Sequence, residues 1–134
     1  MTTEVIEFPD FLKIQQVVGT IEDVQINKKA KKPAYVLKID FGEKIGKKIS
    51  SAQITNYTID ELINRQIVAV CNFEKKNIAG VESEVLVLGA INEQNEVILL
   101  KPDIKVKNGS IISWSNARSR WFEHPTPGLG ILCS

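Results

Sequence analysis

Histidine and cysteine are nearly missing from this sequence: 134 residues hold one histidine, His124, and two cysteines, Cys71 and Cys133. With its only imidazole in an irregular C-terminal stretch, the body of the chain cannot build a histidine-based dyad or triad. No CxxC or HExxH spacing occurs, which removes the common metal-site patterns. Neither GxGxxG nor the phosphate-loop pattern is found. Paired acids such as Asp60 with Glu61 and Glu82 with Glu84 read as helix N-terminal charge and a solvated strand end. The expectation is a binding protein rather than an enzyme, with no metal and no cofactor. Two cysteines are too few for a disulfide framework, which points to a reducing, cytoplasmic setting. No apolar run approaches membrane-spanning length, and "MTTEVIEFPDF" has acids where a signal peptide carries basic residues. No membrane partner is therefore expected.

What is present is an ordinary globular balance, 43% hydrophobic and 25% charged, in a chain of single-domain length. The net charge of +1 is too small for indiscriminate polyanion binding, but the charge is segregated. Residues 1–27 carry −4, residues 28–48 carry +6 through eight lysines, residues 49–100 carry −4 and residues 101–134 carry +3. A local positive patch on a near-neutral body suits a selective electrostatic contact.

"FPDFLKI" predicts a short N-terminal helix with Asp10 near its start. "VVGTIEDVQI" reads as a strand, with Gly19 suggesting a bulge or bend. "NKKAKKP" is a loop, since four lysines, an Asn and a Pro have nothing to bury. "AYVLKIDF" alternates Tyr35, Leu37, Ile39 and Phe41 against Val36, Lys38 and Asp40, a strand pattern. "KISSAQI" is a third strand or its end. In "TIDELINR", Thr58 and Glu61 match the capping box of a short helix. "QIVAVCNF" is an interior strand. "SEVLVLGAI" is another, its apolar residues on both faces implying cover from both sides. "EVILLK" follows, and Asn108-Gly109 is the strongest short hairpin signal. Strands of this length and order, interrupted by one helix, predict an all-β fold. It is a five-stranded OB-fold barrel with one short helix between strands 3 and 4, a short N-terminal helix and a C-terminal extension. A five-stranded sandwich is the competitor. The domain is expected over residues 1–112. Residues 113–134, aperiodic and holding both Trp, form a separate tail: an arm that packs on a partner, or an appended extension.

Lys28, Lys29, Lys31 and Lys32 lie between the first two strands, in the loop that OB-folds use to grip oligonucleotides. Lys48, on the third strand, belongs to the neighbouring surface, where Tyr35 or Phe41 could offer a base a stacking face. Ser50, Ser51, Gln53 and Thr55 can read base edges or 2′-hydroxyls, or equally satisfy local backbone groups.

"DFGEKIGKKISSAQIT", "NRQIVAVCNFEKKNIAGVESEVLVLGA" and "ILLKPDIKVKNGSII" together resemble the CsaA branch of the OB-fold tRNA-binding domains, a group also found appended to methionyl-tRNA synthetases. The resemblance covers roughly residues 10–112. It implies a homodimer that binds tRNA without catalysis, and an alternative chaperone role toward unfolded or export-bound polypeptides. It further implies an RNA-binding role for Ser51, Asn72, Lys75, Lys76, Asn77 and Ser83, with Gly80 in the same motif. The branch usually has paired prolines and arginines where this chain reads Glu74-Lys75-Lys76-Asn77, and an Asp-Ile-Arg where it reads Gln15-Gln16-Val17. Lysine lacks the flat guanidinium that clamps phosphate with two bonds, so the 28–32 run gains importance.

Overall fold

A computed structural model of the chain describes residues 4–115. His124, Cys133 and most of the expected tail lie outside the described residues. In chain order the elements are α1 (Phe8–Lys13), β1 (Gln16–Ile26), β2 (Tyr35–Asp40), β3 (Lys47–Ala52), α2 (Ile59–Leu62), β4 (Gln66–Val70), β5 (Lys76–Ile78), β6 (Val81–Ser83), β7 (Leu86–Val87), β8 (Gly89–Ile91) and β9 (Val97–Leu99).

β1 is long enough to serve two partners. Its second half pairs antiparallel with β2, Val24 opposite Leu37 and Ile26 opposite Tyr35, and its first half with β4, Gln16 opposite Val70. The sheet order is β3-β2-β1-β4-β7, and the sheet curls until the segment before β7 meets β3. That seam holds one backbone bond, from Glu84 N to Ile49 O at 2.8 Å. Side chains accept two further β3 amides: Glu84 Oε1 from Ile49 N at 3.0 Å and Ser83 Oγ from Ser51 N at 3.1 Å. The result is a nearly closed, five-stranded antiparallel barrel of the OB type rather than a sandwich.

The core follows the alternation of β2. Tyr35, Leu37, Ile39 and Phe41 are buried, joined by Val17, Ile21 and Val24 of β1 and Ile67 and Ala69 of β4. α2 plugs one end with buried Leu62, and its capping box forms as expected: Glu61 N donates to Thr58 Oγ1, and Thr58 N to Glu61 Oε1 at 2.8 Å. Those bonds hold the Glu61 carboxyl below its ordinary value.

Three expectations are corrected. β1 runs unbroken through Gly19, and its register irregularity lies between Ile21 and Asp23. Gly19 instead makes room, because a Cβ there would stand 2.6 Å from Phe41 Cδ1 and 2.7 Å from Ile39 Cγ2. The strand expected across "SEVLVLGAI" is broken into β7 and β8. Of its apolar side chains only Val85 is buried, because the chain runs along the sheet's edge and Leu86 and Ile91 meet solvent. Asn108-Gly109 does turn, with Gly109 at φ +91, but no hairpin forms there. The turn docks on β1 instead, with Gly109 N donating to Val18 O and Val18 N to Ser110 O.

Candidate nucleic-acid interface

The tight hairpin of this chain joins β5 to β6. Its two turn residues, Ala79 and Gly80, both have positive φ, +49 and +83, the turn whose twist suits paired strands. Asn77 Oδ1 closes it by accepting from Gly80 N at 3.1 Å. The lysine loop, residues 28–33, stands against this turn. Asn27 Nδ2 reaches Ala79 O at 3.5 Å, and the Lys29 stem lies over Gly80, its Cδ 3.1 Å from where a Cβ would sit. Two segments separated by some fifty positions thus form one exposed surface.

Charge on that surface depends on which lysines already have acids. Lys47 pairs with Glu22 at 3.0 Å and Lys75 with Glu84 at 3.7 Å; the Glu22 bond raises the Lys47 pKa. Lys38 points outward opposite Asp23 in register. Among the described residues, Lys28, Lys29, Lys31, Lys32 and Lys76 are exposed with no carboxylate in ion-pair range, as are Lys38, Lys44, Lys101, Lys105 and Lys107 elsewhere. What sets the first four apart is their crowding in one loop. Lys48 sits opposite buried Ile39 and is half-buried, so it begins on the core side of β3.

The polar candidates divide. Ser50 is 1% exposed and Ser83 5% exposed. Ser50 Oγ donates to Val85 O at 3.2 Å, and Ser83 Oγ takes the Ser51 amide. Both hydroxyls are buried and engaged inside the barrel seam. Asn72 clips the start of β1 to the end of β4, accepting from Gln15 N at 3.0 Å and donating to Lys13 O at 2.6 Å. Ser51 is half-buried and Asn77 exposed. The suggested stacking by Tyr35 or Phe41 is ruled out, since both rings are in the core and the Tyr35 hydroxyl donates to Tyr57 O at 2.9 Å. Sequence reading passed over Asn27, although an Asn heading a lysine loop is a turn-former by chemistry.

Depressions in the surface of the described residues include two of note. One of about 370 Å³ has Arg65, Lys101 and Lys105 against Glu61 and Asp103, so it offers no field of one sign. A smaller one, about 80 Å³, lies beneath the hairpin between Phe73, Ile78, Val85 and Leu86, with Glu74 and Lys76 on its rim.

The fold and this surface define a small OB-type module with a compact, uncompensated cationic loop. Comparison with known proteins gives the family. The family described as "Putative tRNA binding domain" matches residues 16–111. The CsaA chaperone protein of Picrophilus torridus superposes with a TM-score of 0.78 at 55% identity, covering 81% of this chain and all of that one. CsaA of Bacillus anthracis gives 0.77 at 47%, covering 82% of this chain and 100% of its own. Methionine–tRNA ligase of Thermococcus onnurineus is 38% identical over 109 residues, 81% of this chain but only 14% of the ligase. The chain belongs to the tRNA-binding domain family, on the side of the CsaA proteins.

Proposed function

We propose that the protein is a non-catalytic tRNA-binding module that grips the RNA backbone through the 28–33 loop and the adjoining hairpin. One observation carries this reading: four exposed lysines without ion-pair partners crowded in one loop, with Lys29 over the β5–β6 turn, in a chain of this family. Lys28, Lys29, Lys31, Lys32 and Lys76 supply phosphate contacts, with Asn77 and Ser51 as polar neighbours. Because the chain matches only 14% of the ligase, no ligase activity is inferred from it. A cytoplasmic location belongs to the same reading. So does a homodimer, for which exposed Phe8, stacked edge to face with Trp114 at 5.5 Å, offers apolar surface to a second copy.

The test is tRNA binding across a salt series for the wild type and for Lys28→Ala, Lys29→Ala, Lys31→Ala and Lys32→Ala combined. Each neutralised phosphate contributes about 0.9 to the slope of log K against log salt on duplex nucleic acid. The combined variant is expected to flatten the slope by about three to four. Equal affinity and slope in both proteins would refute the reading. The apolar groove at Phe73, Ile78 and Leu86, with the likeness to proteins described as chaperones, favours a second reading, binding of unfolded polypeptide. Suppression of client aggregation that Leu86→Asp abolishes, while the lysine variant retains it, would select that reading.

A further inference from the structure

Asn27 is 8% exposed, and every polar group it has is committed. Its N–H donates to Ala34 O at 2.9 Å, closing the base of the lysine loop, and its C=O accepts from Ala30 N at 3.4 Å. Its Oδ1 accepts from Lys29 N at 3.1 Å, folding the loop's first turn. Its Nδ2 leaves the loop and reaches Ala79 O in the β5–β6 turn at 3.5 Å. Beside that bond the Lys29 side chain lies over Gly80, its Cδ 3.1 Å from where a Cβ would sit. A buried amide normally has hydrogen-bond partners; what distinguishes this one is that its partners lie on both halves of the cationic surface.

We propose that Asn27 is a positioning residue for RNA. It orders the lysine loop and fastens it to the hairpin, so that Lys29 and Lys76 engage one RNA backbone as a single preorganised unit. This inference rests on the RNA-binding role proposed above. A free six-residue loop with four lysines would have to be ordered on binding, at a cost in side-chain and backbone entropy. Asn27 makes part of that ordering a property of the unbound fold.

The experiment compares wild type, Asn27→Ala, Asn27→Ser and the combined lysine variant, with bulk tRNA as probe across a salt series and amide exchange read at Lys29 and Gly80. Serine can still accept from the Lys29 amide but cannot span to Ala79, so it preserves the loop turn and cuts only the bridge to the hairpin. Asn27→Ala is expected to weaken tRNA binding about tenfold, to lower the salt slope by about one as a single phosphate contact is lost, and to speed exchange at both amides. Asn27→Ser is expected to recover protection at Lys29 but not at Gly80, with affinity between the two. A merely structural role would lower melting temperature without moving the salt slope of the folded protein. If Asn27→Ala and Asn27→Ser both bind with wild-type affinity and slope while the combined lysine variant is weakened, the positioning role is overturned and RNA binding stands. If the combined lysine variant also binds as wild type, the RNA reading itself fails. Should Asn27→Ala not fold, the slope and Gly80 exchange of Asn27→Ser decide the matter.

Discussion

Ser83 separates a structural serine from a ligand contact, and Ser83→Ala tests which it is. Its Oγ takes the Ser51 amide at 3.1 Å and lies 3.3 Å from Val85 O, at the one place where the barrel closes largely through side chains. Alanine leaves the Ser51 N–H with no acceptor. Stranding a buried donor costs about 1–3 kcal/mol. Ser51 is half-buried, and water can reach it in part, which favours the lower half of that range, about 1–2 kcal/mol. For a domain near a hundred residues each kcal/mol lowers the melting temperature by about 4–5 °C, so the expected fall is roughly 5–10 °C. Thermal unfolding reads the stability, and amide exchange at Ser51 locates the loss. tRNA affinity, measured well below the transition, is expected to change less than in any variant of the lysine loop. A melting temperature and Ser51 exchange equal to wild type, together with a large loss of affinity, would show that Ser83 touches RNA and that the seam is drawn wrongly.

Gly19→Ala places a methyl within 2.7 Å of Phe41 and Ile39 side-chain carbons, and urea unfolding should show it destabilised by about 1–3 kcal/mol from overpacking. Thr58→Ala removes the α2 cap and is expected to cost about 1 kcal/mol in the same assay. Glu61 is held below its ordinary value of 4.5, chiefly by the Thr58 backbone and side-chain hydrogen bonds. Its contribution is therefore present at neutral pH and fades as pH falls through the lowered value, and Glu61→Gln should show a shallower loss of stability on acidification. Lys75→Ala is expected to weaken tRNA binding less than Lys76→Ala, because Lys75 already faces Glu84 at 3.7 Å; equal losses in a filter-binding assay would contradict that order.

How much of this was legible in the sequence depends on whether a signal was local. The alternation in β2, the capping box at Thr58 and Glu61 and the lysine run as a loop are local patterns, and each appears where it was read. The same alternation argued against base stacking by Tyr35 and Phe41. Positions that share a face with Leu37 and Ile39 face the core, so the two roles competed and burial won. Other features that the sequence leaves open involve partners distant in sequence. A serine in β3 looks identical whether it meets solvent or a second serine at the end of β6, as Ser50 and Ser83 do. Ala79 adopts positive φ without being Gly or Asn, and the bonds around that turn come from Asn77 and from Asn27, far upstream. Asn108-Gly109 carries the stronger local signal, yet beyond the single turn bond from Ser110 N to Lys107 O its flanks pair with β1.

Segment charge also misleads in a specific way. Lys47 is neutralised by Glu22 across the barrel wall and Lys75 by Glu84 beneath the hairpin, so two lysines that count toward a basic sequence add little to a basic surface. The four lysines of the 28–33 loop are crowded together and none of them forms an ion pair. Crowding also makes the loop costly to order, since like charges at close range repel wherever solvent screening is incomplete. An anchor that holds the loop before RNA arrives is what this arrangement most requires, and Asn27 is the residue whose bonds reach both sides of it.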